Sequence, residues 1–235
     1  DCALWDLEAK LSGKRAWELA GIDPPVPVVS AMTLSLDSPE NMAEAARASA
    51  HLPLLKLKVI GGGDLERVTA VRSGAPQSRL IVDANEGWQP EMLDILLPAL
   101  AELGVEMVEQ PLPAAYDEAL LGREFAIPVC ADESCHTRAD LDRLQGRYPM
   151  INVKLDKSGG LSEALALTRE ARARGFRVMV GCMVGSSLSM APAVLLTSFA
   201  DYVDLDGPLL LARDCQPGLS YDGAMVHPPE ASLWG

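Results

Sequence analysis

Lys58, Asp83, Glu109, Asp132 and Lys154 each close a short apolar run: 54–58, 80–83, 106–109, 128–132 and 151–154. The intervals between them are 25, 26, 23 and 22 residues. One strand plus one crossover helix needs about that length, since a crossover alone takes at least about a dozen residues. Charges at the same end of successive parallel strands converge on one mouth of a sheet. Any one of the three carboxylates could be a helix N-cap. Three in consecutive units at the same depth instead repel each other unless they bind a cation. All-oxygen donors select a hard ion, and Mg²⁺ keeps positions open for substrate oxygens. Asp83, Glu109 and Asp132 are therefore expected to form a Mg²⁺ site.

Lys56 and Lys58 alternate, so both point to the same side of their strand. Two ammonium groups that close, near a cation, lower each other's pKa, which is what a lysine base needs at neutral pH. Lys154 stands beyond the last carboxylate, read as two strands on, and is expected to face Lys58 across a metal-bound substrate. Such a pair would take a proton from one face of a carbon and return one to the other. His51, His136 and His227 fall outside the strand ends, so no histidine base is expected.

The elements that must position these side chains alternate strictly. A helix over 3–11 stops near Gly13, a second turn over 15–20 stops at Gly21, and prolines 24, 25 and 27 then break the chain. A first strand is expected over 28–34, followed by a helix with Ser38 as N-cap and Pro39 at its first position. Strands ending at Lys58, Asp83, Glu109, Asp132 and Lys154 follow, with helices at 65–71, 92–103, 116–125, 138–144 and 161–174 between and after them. A seventh strand over 177–181, a helix over 187–199 and an eighth strand over 202–206 complete the pattern. Eight near-continuous apolar strands with seven crossovers imply a parallel α/β barrel, (β/α)7β, more than an open sheet. An open sheet would carry a glycine-rich phosphate loop after its first strand, and Leu-Ser-Leu-Asp stands there. Gly61-Gly62-Gly63 lacks phosphate-loop spacing and reads as a flexible turn.

Length and composition agree. The 235 residues suit one large α/β domain, with 49% hydrophobic residues and only 5% aromatic to build an aliphatic core. A net charge of −13 argues against nucleic acid or an anionic membrane as partner. Five scattered cysteines without a CxxC favour neither a disulfide frame nor zinc, and Cys130 and Cys182 are expected in the core. Without a signal segment or an 18-residue apolar run, a cytoplasmic, reducing compartment is expected. The chain opens at Asp1 directly into helical periodicity, so a preceding segment is expected.

Five motifs now carry a resemblance: Lys56-Leu-Lys58, Val82-Asp83-Ala-Asn85, Val108-Glu109-Gln110-Pro111, Ala131-Asp132-Glu133-Ser134 and the run from Asn152 through Lys154 to Gly160. In order and extent the chain resembles the barrel domain of the enolase superfamily, in its muconate-lactonizing-enzyme-like subgroup. The resemblance implies one Mg²⁺ on Asp83, Glu109 and Asp132, bound to a substrate carboxylate. It implies Lys58 and Lys154 as the acid/base pair, with Lys56 tuning Lys58. No histidine on strand seven argues against the mandelate-racemase-like subgroup. An α-proton beside a carboxylate is too weakly acidic for lysine unaided, and a Mg²⁺ Lewis acid would stabilise the enolate.

The last strand bears on substrate. Asp204 and Asp206 alternate and are expected to share an interior face, where an anionic pair would bind a cationic group such as a free α-ammonium. In the dipeptide epimerases of the subgroup, a D-x-D at this place binds the substrate's N-terminal ammonium, and 181–187 around Met183 also resembles that branch. The resemblance thus implies epimerisation of the C-terminal residue of L,L-dipeptides, of the L-Ala-L-Glu type. N-succinyl amino acid racemisation and o-succinylbenzoate synthesis are the alternatives, and paired aspartates should repel their anionic distal groups. Thr33 is a further expected substrate contact. A barrel kept only as a binding scaffold would be expected to have lost one of the five charges, and none is missing. The resemblance also implies an N-terminal α+β capping domain largely absent here. It divides the chain into a helical junction (1–25), the catalytic barrel (26–225) and a C-terminal return (226–235), and allows a homo-oligomer.

Overall fold

A computed structural model describes residues 1–235. The chain opens with α1 (Cys2–Ser12), closed by Gly13 at φ 68, and α2 (Ala16–Ala20). There follow β1 (Val28–Val29), β2 (Met32–Leu34), α3 (Pro39–Ala48), β3 (Leu54–Lys58), α4 (Asp64–Gly74), β4 (Arg79–Asp83), α5 (Pro90–Glu102) and β5 (Val105–Glu109). Next come β6 (Val129–Ala131), α6 (Leu141–Leu144), β7 (Met150–Val153), α7 (Leu155–Ser158), α8 (Leu161–Ala173), β8 (Arg177–Val180), α9 (Ser187–Val194) and β9 (Tyr202–Val203). The chain finishes with β10 (Tyr221–Asp222) and β11 (Met225–Val226). No helix is long and apolar enough to cross a membrane.

Strands β2 to β9 form an eight-stranded sheet in sequence order. Contacts gather the chain into two compact units, one of Asp1–Ser30, His136–Ala139 and Asn152–Gly235, the other of Ala31–Cys135 and Asp140–Ile151. In the second unit β2 through the start of β7 pair in parallel, with Lys58, Asp83 and Glu109 on one rung of the ladder. Leu55 and Leu57 of β3 are fully buried, and α5 covers its side of the core with Leu93, Leu96, Leu97 and Leu100. That i, i+3, i+4, i+7 spacing is one helical stripe. In the first unit β8 and β9 pair in parallel, and the Gly181 amide donates to the Val153 carbonyl at 3.0 Å. A small antiparallel sheet, β1-β11-β10, lies in the same unit.

Local signals account for most element ends. The Ser38 hydroxyl accepts from the Asn41 amide at 3.2 Å, with Pro39 at the first position of α3. Elsewhere the expectations are corrected. The strand expected over 28–34 divides at Ser30, because 28–29 finds its partner in β11 rather than in the parallel sheet. The helix expected over 116–125 is one 3-10 turn, Asp117–Leu120, and that over 138–144 is a 3-10 turn plus α6. The eighth strand ends at Val203, since Gly207 and Pro208 start a 3-10 turn with Asp206 as its cap at φ −84, ψ −1. Lys154 follows β7, which neighbours β6, so it lies one strand beyond the Asp132 strand rather than two. All five cysteines are free; Cys130 is buried as expected, whereas Cys182 is only half-buried.

Candidate active site

In the second unit the expected residues meet at the ends of β3, β4 and β5. Lys56 is 2% exposed, Asp83 and Glu109 0%. The Lys56 Nζ stands 3.0 Å from Asp83 Oδ2 and 2.7 Å from Glu109 Oε2. Lys58, a third exposed at its side chain, places its Nζ 2.7 Å from the same Asp83 oxygen and donates to Asn85 Oδ1 at 2.9 Å. Both ammonium groups therefore converge on one carboxylate oxygen. Burial by itself would raise the Asp83 pKa, but the charges of Lys56 and Lys58 and their hydrogen bonds overcome it and hold the group below the usual carboxylate range. A buried lysine is tolerated here because two carboxylates neutralise it.

Asp132 follows β6 and is 2% exposed. Its loop is tied to β5 by a residue the sequence reading left unassigned. Gln110, at φ 36 and fully buried, accepts from the Asp132 amide at 2.8 Å and from the Ser134 amide at 3.2 Å through Oε1. Its Nε2 donates to the Leu112 carbonyl, the Ser134 hydroxyl and the Tyr148 hydroxyl at 2.8, 2.8 and 3.0 Å. The Ser134 hydroxyl donates onward to buried Asp117 at 2.6 Å, whose charge is matched by Arg147 at 2.5 Å and Arg143 at 3.2 Å. This buried network pins the Glu109 and Asp132 strand ends together. Its only sequence signal was a polar residue directly after each carboxylate or two beyond it.

No group of three or more His, Cys, Asp or Glu side chains is arranged to hold a metal ion, and Asp83 and Glu109 meet through the Lys56 ammonium. The donor chemistry nevertheless fits a hard cation. Three carboxylates, none more than 2% exposed, stand at consecutive strand ends, and two of them already face a positive charge. Thr33 lies on β2, opposite Lys56 in the ladder and half-buried. The Gly61–Gly63 turn is not a phosphate cradle. Its Ile60 and Gly61 amides donate to Asp64 at 3.1 and 2.6 Å, and the Trp88 indole donates to the same buried carboxylate at 2.8 Å.

The first unit holds the remaining expected residues. Lys154, 5% exposed, caps α7, and its carbonyl accepts from the Lys157 and Ser158 amides. Asp204 and Asp206 are each 4% exposed. They do not alternate along a regular strand as the sequence suggested: the Asp204 amide still bonds to the Val180 carbonyl at 2.8 Å, and Asp206 has turned into the following 3-10 helix. Met183 is nearly half exposed, and its carbonyl would lie 2.8 Å from a side chain on Gly207, so the 182–183 turn packs directly against the residue after Asp206. A side chain at Gly181 would meet the Asn152 amide group at 2.7 Å. Glycine is needed at both points for close approach.

Buried carboxylates and lysines at the ends of successive parallel strands are groups suited to acid/base chemistry. The comparisons agree: residues 40–232 match the family described as Enolase C-terminal domain-like, and the chain belongs to it. It is 48% identical over 235 residues to the N-acetyl-D-glutamate racemase of a Pseudoalteromonas species, covering all of this chain and 74% of that protein. It is 47% identical to the L-Ala-D/L-Glu epimerase of Escherichia coli K12, covering 97% of this chain and 71% of that one. Among solved structures, an enolase family member from Agrobacterium tumefaciens with homology to dipeptide epimerases, holding sodium and L-Ala-L-Glu, superposes with a TM-score of 0.97 at 51% identity. That match covers 100% of this chain and 72% of the other. The Enterococcus faecalis dipeptide epimerase complexed with Mg and L-Leu-L-Tyr gives a TM-score of 0.91 at 29% identity, covering 98% and 69%. The chain thus has the barrel fold expected of it and spans nearly three quarters of its curated relatives, which are isomerases.

Proposed function

We propose that this protein epimerises the C-terminal residue of L,L-dipeptides of the L-Ala-L-Glu type by two-lysine 1,1-proton transfer, one lysine removing the α-proton and the other supplying one. The observation that carries the proposal is the pair of buried carboxylates, Asp204 and Asp206, in a chain that also keeps Lys58, Lys154 and the three strand-end acids. Two carboxylates so close in sequence suit a cationic group, and the free α-ammonium of a dipeptide is one. The resemblance to the E. coli epimerase and to a structure holding L-Ala-L-Glu supports the same reading.

Asp83, Glu109 and Asp132 would hold Mg²⁺. The ion, when bound, supplies the positive charge that makes an α-proton beside a carboxylate acidic enough to remove. Lys58 takes the proton at its Nζ and Lys154 delivers one to the opposite face, which inverts the carbon. Lys56 holds Asp83 and Glu109 in place. Met183 and Thr33 contact the substrate. The site works in a soluble, cytoplasmic protein that forms a homo-oligomer.

A second reading has a specific observation in its favour: a relative at 48% identity is an N-acetyl-D-glutamate racemase. It uses the same lysines and carboxylates but places a neutral acylamide where the ammonium would sit. The deciding experiment is deuterium incorporation at the α-carbon in D₂O with Mg²⁺, using L-Ala-L-Glu and N-acetyl-glutamate in parallel. Exchange of the dipeptide with inversion, abolished by EDTA, and loss of the inversion in Lys154→Ala support epimerisation. Exchange confined to the N-acyl substrate overturns the dipeptide assignment and leaves the lysines in place.

A further inference from the structure

The backbone of Leu205, between the two aspartates, is held on both sides, one hydrogen bond on the peptide before it and one on the peptide after it. Its amide donates to the Ser30 hydroxyl at 2.8 Å, and its carbonyl accepts from the Tyr221 hydroxyl at 2.7 Å. Leu205 itself is fully buried and Ser30 is 3% exposed. Ser30 is bonded through its own amide to the Ala224 carbonyl at 2.8 Å, and Tyr221 lies on β10 opposite Val226 of β11. Tyr221 therefore belongs to the small antiparallel sheet and Ser30 directly follows its strand β1, and neither is among the expected catalytic residues.

This arrangement has a physical purpose to fill. β9 stops at Val203, so no regular strand ladder fixes Asp206, and a buried pair of like charges tends to spread apart. Two neutral hydrogen bonds on the backbone of the intervening residue resist that spreading without adding charge beside the aspartates. Burial, with Cys182, Asp206 and Asp214 nearby, pushes the Tyr221 phenol's pKa up, so the hydroxyl remains a donor throughout the neutral range.

We infer that Tyr221, with Ser30, is a positioning residue for substrate recognition: by fixing the Leu205 backbone it sets the Asp204 and Asp206 carboxylates for an ammonium group. The inference rests on the dipeptide reading of those aspartates. It separates recognition from proton transfer, because neither group belongs to the lysine and carboxylate set.

The test uses Tyr221→Phe, which removes one oxygen and keeps the ring. For wild type and variant, the KM and kcat for L-Ala-L-Glu exchange are measured together with the inhibition constant of N-acetyl-L-Ala-L-Glu. The expected result is a KM raised about five- to tenfold, the worth of about one hydrogen bond, with kcat changed less than about twofold. The inhibition constant of the N-acetyl compound should stay unchanged, since it carries no ammonium. Equal shifts for both compounds, or no shift in a folded variant, would overturn the inference. Ser30→Ala provides the same readout should Tyr221→Phe fail to fold. Should the wild type exchange no dipeptide, the proposed function fails separately, and amide hydrogen exchange at Leu205 decides the clamp. Faster exchange in Ser30→Ala, which removes the acceptor of that amide, supports it, and unchanged protection rejects it.

Discussion

Lys56 gains a structural role beside the expected one. The family resemblance implies that it tunes Lys58, and its ammonium also bridges Asp83 and Glu109 at 3.0 and 2.7 Å. Removing one member of a buried ionic group leaves the others uncompensated, at a cost of about 3–5 kcal/mol. Lys56→Met is therefore expected to lower the denaturation midpoint sharply in metal-free buffer, and Mg²⁺ should recover much of the loss. A Lys56→Met protein as stable as wild type in EDTA would show that the bridge contributes nothing. Gln110 marks the limit of single-residue reading. It follows Glu109 in a recognisable motif, yet its contacts reach 22 to 38 residues along the chain, and nothing local announces them.

At the scale of elements, Asp214 clamps the start of α9. Its carboxylate accepts from the Ser187 amide at 2.9 Å and the Cys215 amide at 2.7 Å, and also from the Ser187 hydroxyl. Burial opposes ionisation, but these bonds prevail and hold its pKa below the ordinary value. A carboxyl depressed on folding stabilises above its unfolded pKa of about 4, and the gain is lost as pH falls through the lower folded value. Thermal melts of wild type and Asp214→Asn should thus differ at pH 7 and converge toward pH 3. A constant gap across that range would rule out the ionised clamp. Strand ends were legible because apolar runs closed by charge are a local signal. The 3-10 turn at Asp117–Leu120 was not, since its sequence has helical composition but Asp117 is drawn into the core by two arginines. The division at Ser30 was likewise hidden, because β1 pairs with residues almost 200 positions away.

For the whole molecule, the net charge of −13 raises the local concentration of cations near its surface. A folded-state Mg²⁺ site would couple that ion to global stability. At ten times its dissociation constant, bound Mg²⁺ would add about 1.4 kcal/mol. Calorimetry of EDTA-treated protein should show the melting temperature rising with added Mg²⁺, and Asp83→Asn should remove most of the rise. An equal rise in the variant would assign the effect to general charge screening. The family-level architecture was readable from five motifs in order, whereas the short return sheet was not, since two-residue strands carry no periodicity.

The turn at Gly61–Gly63 already contains its own anion. Asp64 is tethered four and three residues from the Ile60 and Gly61 amides it accepts from, so its effective concentration there is far above that of any free solute. A phosphate or sulfate ion would have to displace a covalently attached competitor and strand a buried carboxylate. Millimolar phosphate is accordingly expected to leave amide exchange at Ile60 and Gly61 unchanged. In competitive terms, the most glycine-rich stretch of the chain is already occupied against a phosphorylated ligand.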